Sequence, residues 1–240
     1  MKIRVEKRRD KTLVVYSQKR FDLLKSLRRT AYSILSSLLE YSIEGYVIGS
    51  VARGDVTENS DVDVFLPYYI PIYRVKLALT QGCLVDEENL RYIIVQATPQ
   101  SSPRILVKID DRTTISVPLS KLSKTEEEFL LFAGRVSLKD IEKEKRVPGV
   151  NKNLLMIEPV KNGHIEWSII GREHEAARLL NISLETVQER VLMRTKRMTM
   201  GKAGLFIQED VPPGMSPEEM ALRIARKNRL FYSKIRETLL

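Results

Sequence analysis

The stretch Asp61-Val62-Asp63-Val64-Phe65-Leu66 constrains this chain more than any other. It sets two acids, one residue apart, into an apolar run, and an extended strand is the local structure that lets both leave the core together. Alternate residues of a strand share a face, so Asp61 and Asp63 project on one side about 6.6 Å apart at ~3.3 Å per residue, while Val62 and Val64 turn inward. Two carboxylates at that separation repel by about 2.5 kcal/mol at an effective dielectric of ~20, and by only ~0.6 kcal/mol in bulk water. On a partly buried face they need a cation. Two divalent metals about 3.5–4 Å apart would fit between and beside them, the arrangement that activates a hydroxyl and stabilises a leaving pyrophosphate. The competing reading is a solvent-exposed strand edge whose acids discourage pairing with other chains.

Upstream, the apolar strand Gly45–Ile48 runs directly into Gly49-Ser50. Gly49 has no side chain to keep a phosphate from the backbone, Ser50 can cap a short helix whose N–H groups point outward, and Gly54 ends that helix early. A Gly-Ser pair alone is a common turn. Its weight comes from the paired acids that follow.

The rest of the chain reads as mixed α/β. Thr12–Tyr16 is a short strand, and Phe21 to Tyr41 repeats Leu, Ala and Ile at spacings of three and four, which predicts one long amphipathic helix. A helix is expected around Val75–Leu79. Arg91–Ala97, Ile105–Ile109 and Thr114–Leu119 are predicted strands, the last two joined by the turn-forming Asp110-Asp111-Arg112-Thr113. Beyond Leu122 the pattern shifts towards helix, with Ser123 and Thr125 ahead of three glutamates. Asn162-Gly163 predicts a hairpin between Leu154–Val160 and His164–Ile170, followed by two helices over Glu173–Leu180 and Ser183–Met193. The expected division is residues 1–122, a mixed sheet flanked by helices with a basic N-terminal arm, and 123–240, a mainly helical C-terminal domain.

No apolar run approaches the ~20 residues of a membrane span, Met1 to Asp10 lacks an export signal, and the single Cys83 excludes an internal disulfide and a zinc ribbon, so a reducing cytoplasm is expected. His164 and His174 fall on different elements and are not read as metal ligands. The formal charge of +9 is unevenly placed. Residues 1–30 hold eleven Lys and Arg against three acids, and residues 190–202 hold five cations and no acid. Two such patches suggest an anionic partner, nucleic acid or polyphosphate, and not a membrane, since interfacial aromatic anchors are missing. The two C-terminal helices, joined through Asn181-Ile182, resemble a helix-turn-helix that would lay its second helix on nucleic acid.

Gly49-Ser50 followed by Asp61-x-Asp63, with Ala52-Arg53-Gly54-Asp55 and Asn59-Ser60 between, resembles the signature of the DNA polymerase beta-like nucleotidyltransferase superfamily, the small stand-alone members and their antitoxin relatives above all. The resemblance implies a nucleotidyltransferase-like mixed sheet. It also implies that Gly49, Ser50 and Arg53 bind a nucleoside triphosphate such as ATP, that Asp61 and Asp63 ligate two magnesium ions, and that an acceptor hydroxyl attacks the α-phosphate. The family carries a third carboxylate on a neighbouring strand. Here Thr114-Ile115-Ser116-Val117-Pro118 places Ser116 where that acid is expected, a neutral group and a poor base. Asp110, Asp111 or Glu158 are the alternatives. Two classes of function follow: a metal-dependent nucleotidyltransferase with an unknown hydroxyl acceptor, or a catalytically weakened protein of the same fold that acts as a nucleic-acid-binding or antitoxin-like regulator.

Overall fold

The computed structural model describes residues 10–82, 84–200 and 204–239. The cations from Lys2 to Arg9, Cys83 and Lys202 lie outside the described residues. In chain order the elements are β1 (Thr12–Val15), α1 (Gln18–Glu40), β2 (Tyr46–Ile48), α2 (Ser50–Arg53), β3 (Val62–Phe65), α3 (Ile72–Gln81), β4 (Arg91–Gln96), β5 (Arg104–Lys108), β6 (Thr113–Pro118), α4 (Lys124–Ala133), β7 (Arg135–Val136), α5 (Leu138–Glu142), β8 (Gly149–Val150), β9 (Leu155–Val160), β10 (Gly163–Ser168), α6 (Glu173–Leu180), α7 (Leu184–Met200), β11 (Ile207–Asp210), α8 (Pro217–Lys227) and α9 (Arg229–Leu239). The mixed α/β class expected from the periodicities is the one observed.

The chain forms two compact units whose segments interleave: Met1–Arg29, Val47–Ser60 and Lys124–Ala203 in the first, Thr30–Tyr46, Asp61–Ser123 and Gly204–Leu240 in the second. The units therefore do not follow the expected 1–122 and 123–240 division, although one junction does fall at Ser123–Lys124. Strand pairing explains the interleaving. β1 joins β10 antiparallel, with Leu13 opposite Ile165, and β11 joins β4 antiparallel, with Gln208 opposite Val95. Both pairings bring together segments more than 100 residues apart, which hydrophobic periodicity cannot reveal.

In the first unit four strands run in the order β1-β10-β9-β8. Met156 of β9 and Trp167 of β10, register partners, are both fully buried, with Leu154, Ile169, Ala176, Ala177, Leu180 and Val187 around them. The α6–α7 joint is made by Asn181 in the left-handed region at φ 53°, which asparagine tolerates better than most residues. Glu128 of α4 closes the start of α7: it accepts hydrogen bonds from Ser183 N–H at 3.1 Å and from the Ser183 and Thr186 hydroxyls. Burial acts to raise its pKa, but those hydrogen bonds and Lys124 outweigh burial and hold it below its ordinary value. Its contribution is thus complete above the unfolded carboxylate range of about 4.3 and is lost as pH falls through the lower folded value. Glu128→Ala is expected to cost about 2 kcal/mol at neutral pH and to shrink that cost in acid, measured by urea unfolding at pH 7 and pH 3.

In the second unit the strands run β11-β4-β5-β6-β3. β5–β6 is antiparallel as the hairpin pattern predicts, β4–β5 is antiparallel as well, and β3 lies parallel to β6. Val62, Val64, Ile105, Val107, Ile94, Ile115 and Val117 are buried and make one face of this sheet. The C-terminal part of α1 and α3 are tied by the Ser37 hydroxyl, which donates to Ala78 O at 2.9 Å. Glu218 of α8 accepts Ile72 N–H at 2.7 Å, which satisfies an amide that the first turn of α3 leaves unpaired.

Candidate active site

The first unit holds the Gly-Ser turn. Gly49 sits at φ 79° and ψ −143°, a conformation that glycine adopts freely, and an added Cβ there would meet open space, so φ and not crowding selects glycine. The Gly49 N–H donates to Gly134 O at 3.0 Å, and its carbonyl accepts Ala52 N–H and Arg53 N–H. The helix's own bonds begin with these, leaving Ser50 and Val51 N–H in the position where a short helix presents amides to an anion. Gly54 ends the turn in the left-handed region, and its N–H returns to Ser50 O at 2.7 Å. Arg28, one of the cations of the expected basic arm, is buried and grips the other end of α2: Nε donates to Val51 O at 3.1 Å, and Nη2 to Ala52 O at 3.1 Å and Lys145 O at 2.8 Å. Burial, helped by Arg146, pushes its pKa down to about 10, which still leaves it charged at neutral pH.

Arg53 is buried as well. Its Nη1 donates to Ala133 O at 2.6 Å, and Nη2 stands 3.0 Å from Asp55 Oδ2 and 2.9 Å from Oδ1, with only 6% and 8% of the two side chains exposed. An isolated buried guanidinium would be costly, and Asp55 neutralises it. The Ser50 hydroxyl donates to the Ser60 hydroxyl at 3.1 Å, and Ser60 Oγ also accepts Thr57 N–H at 2.9 Å, so the turn and the residue before Asp61 share one hydrogen-bonded loop.

The second unit holds the acids. Asp61 precedes β3 directly and is exposed, Val62 is buried, Asp63 is exposed, and Val64 is buried, the alternation expected of a strand with one wet face. Registers extend that face. Asp63 lies opposite Thr114, Thr114 opposite Lys108, and Lys108 opposite Arg91; Phe65 lies opposite Ser116, and Ser116 opposite Leu106. Register partners share a face, so Ser116 does stand on the side of the sheet shared by Asp61 and Asp63. It stands one row further along, however, and Thr114 occupies the place beside Asp63. The face is open at Asp63 and closed at Phe65, which is fully buried under the Arg104 guanidinium, 4.7 Å from the ring centroid. Ser116 Oγ is enclosed there, with no hydrogen-bond partner among the described residues.

The other acids considered are engaged in local roles. Asp110 Oδ1 accepts Arg112 N–H at 2.7 Å within the β5–β6 turn, Asp111 pairs with Arg91 at 3.6 Å with 92% of its side chain exposed, and Glu158 accepts Trp167 Nε1–H and pairs with Lys11 at 3.6 Å. Among the described residues no group of three or more Asp, Glu, His or Cys side chains comes together to hold a metal ion. His164 bonds Tyr16 Oη through Nδ1 at 2.6 Å in a buried pair, and burial lowers its pKa.

In the second basic run, Arg190 lies over the Phe129 ring at 4.5 Å and Arg194 Nε donates to Lys152 O at 2.7 Å. At the start of α7, where a groove-reading helix would present its first residues, the Ser183 and Thr186 hydroxyls point to Glu128. No helix among the described residues is long and apolar enough to cross a membrane.

The family model for the nucleotidyltransferase domain matches residues 28–179, more than half of the chain. A protein of Methanocaldococcus jannaschii, provisionally named a protein adenylyltransferase, is 29% identical over 73 residues, which cover 30% of this chain and 74% of that relative. No solved structure gives a significant match.

Proposed function

The chain belongs to the nucleotidyltransferase domain family, and from that premise we propose that it moves a nucleoside monophosphate from a nucleoside triphosphate to a hydroxyl group, with Asp61 and Asp63 as the magnesium-binding acids. The observation that carries this reading is the pair itself: two carboxylates exposed on one face of a strand whose intervening and following valines are fully packed. The packed valines hold the strand, so the pair keeps its spacing without a ligand. Carboxylate oxygens suit magnesium, which is held by one or two carboxylates together with waters and substrate phosphates. When bound, the ion would neutralise charge on the triphosphate. The chain's own part is positional. Within the first unit, Ser50 and Val51 N–H are donors suited to phosphate oxygens, on a turn held by the bond that Gly49 N–H gives to Gly134 O and by the Arg28 and Arg53 guanidinium bonds. Within the second unit, the two acids are suited to the cation that accompanies a triphosphate. In the reaction the acceptor oxygen bonds to the α-phosphorus, the bond from that phosphorus to the bridging oxygen breaks, pyrophosphate leaves, and the hydroxyl proton passes to solvent or to a carboxylate. The name of the archaeal relative adds adenylyl transfer to a protein hydroxyl as the first acceptor class to try.

A second reading, a regulator of the same fold with weakened catalysis, draws on Thr114 beside Asp63 and on the lack of a third acid among the described residues. It retains triphosphate binding without turnover. Differential scanning fluorimetry separates both readings from a chain with no nucleotide site: magnesium with ATP should raise the melting temperature in either case, and pyrophosphate release should accompany it in the first alone. No shift with any of the four triphosphates would contradict both.

A further inference from the structure

We propose that the Asp61–Asp63 face holds one divalent cation per chain and not two, because the sheet position beside Asp63 that would hold a second is Thr114, backed by Lys108. This rests on the magnesium-binding role proposed above and concerns its capacity. A pair of divalent ions about 3.5–4 Å apart brings four positive charges into one small volume and needs anionic ligands on both sides. On the β3 side this face supplies Asp61 and Asp63. In the row running through Asp63 the next strand offers Thr114, a neutral hydroxyl, and the strand after that offers Lys108, a cation about 9.6 Å from Asp63 along the sheet at ~4.8 Å per strand. One row along, Phe65 and Leu106 are apolar, and the Ser116 hydroxyl between them is enclosed. A second ion would therefore meet a hydroxyl and an ammonium where it needs a carboxylate. A single ion carried in with a triphosphate meets two carboxylates, and Lys108 adds a positive charge to the same row of the sheet.

Residue 114 sets the number, and residue 116, which the sequence singles out, does not. Manganese(II) with α,β-methylene ATP serves as the probe, with bound ions counted by electron paramagnetic resonance on the full chain. Wild type is expected to bind one manganese ion per chain, Thr114→Asp to bind a second, and Ser116→Asp to remain at one while melting lower, because its carboxylate would enter the enclosed place that the Ser116 hydroxyl holds between Phe65 and Leu106. Two ions on wild type, or a folded Thr114→Asp protein that still binds one, would overturn the proposal, as would a second ion gained by Ser116→Asp. Should Thr114→Asp fail to fold, the wild-type count alone decides. Failure of the underlying role looks different: Asp63→Asn would then bind manganese and nucleotide as well as wild type does, whatever the count.

Discussion

Asp61→Asn and Asp63→Asn are each expected to reduce nucleotidyl transfer by at least ~100-fold, since losing a group that merely orients a metal ligand already costs 10–100-fold in affinity or activity. Both residues are exposed, and Val62 and Val64, not the acids, pack into the core. Removing one charge from the pair relieves repulsion, and the nucleotide-free Asp61→Asn protein should melt no lower than wild type. The loss should appear in linkage. At a ligand concentration about 100 times its dissociation constant, binding to the folded state alone adds ~2.7 kcal/mol, which for a chain of this size is a rise of roughly 5–10 °C. Wild type should show that rise with magnesium and ATP, and the two variants should not. Equal rises in all three proteins would remove Asp61 and Asp63 from the site.

The largest loss of stability is expected at Arg53. Removing one partner of a buried ion pair leaves the other charge uncompensated, at a cost of about 3–5 kcal/mol, and Arg53→Ala would also strip Ala133 O of its donor. The melting temperature should fall by about 10 °C. Asp55→Asn should cost less, because an amide can still accept from the guanidinium, and the double variant should cost less than the sum of the single ones. The alternative outcome is specific: an Arg53→Ala protein as stable as wild type, with only a raised KM for triphosphate, would mean that the guanidinium works on nucleotide and not on Asp55.

Arg53 also shows where sequence reasoning stops. The family resemblance implies that it binds nucleotide, and nothing in the string indicates that Asp55, two residues on, turns back onto the same guanidinium. The strands, the long helix α1 and the Asn162-Gly163 hairpin were legible because each is local: period two, period three to four, or a two-residue turn with its own chemistry. The neighbour of Asp63 was not. β3 and β6 pair in parallel across a helix, a hairpin and about 50 residues, and parallel register is set by packing far from either strand. Counting along β6 alone gives the correct face for Ser116, because parity is a local property. Choosing between residues 114 and 116 requires the partner strand. For the same reason the shift in composition near residue 122 reads as a boundary between domains, while β1 pairing β10 and β11 pairing β4 weave both halves of the chain into both units.

Incubation with triphosphates labelled in turn at the α- and the γ-phosphate, in the presence of magnesium and of protein and RNA acceptors, tests the proposed chemistry most directly. Nucleotidyl transfer predicts that the α-label becomes covalently attached to an acceptor while the γ-label leaves as pyrophosphate, and that both events vanish in Asp63→Asn. Transfer of the γ-label, or α-label incorporation that survives Asp63→Asn, would contradict it.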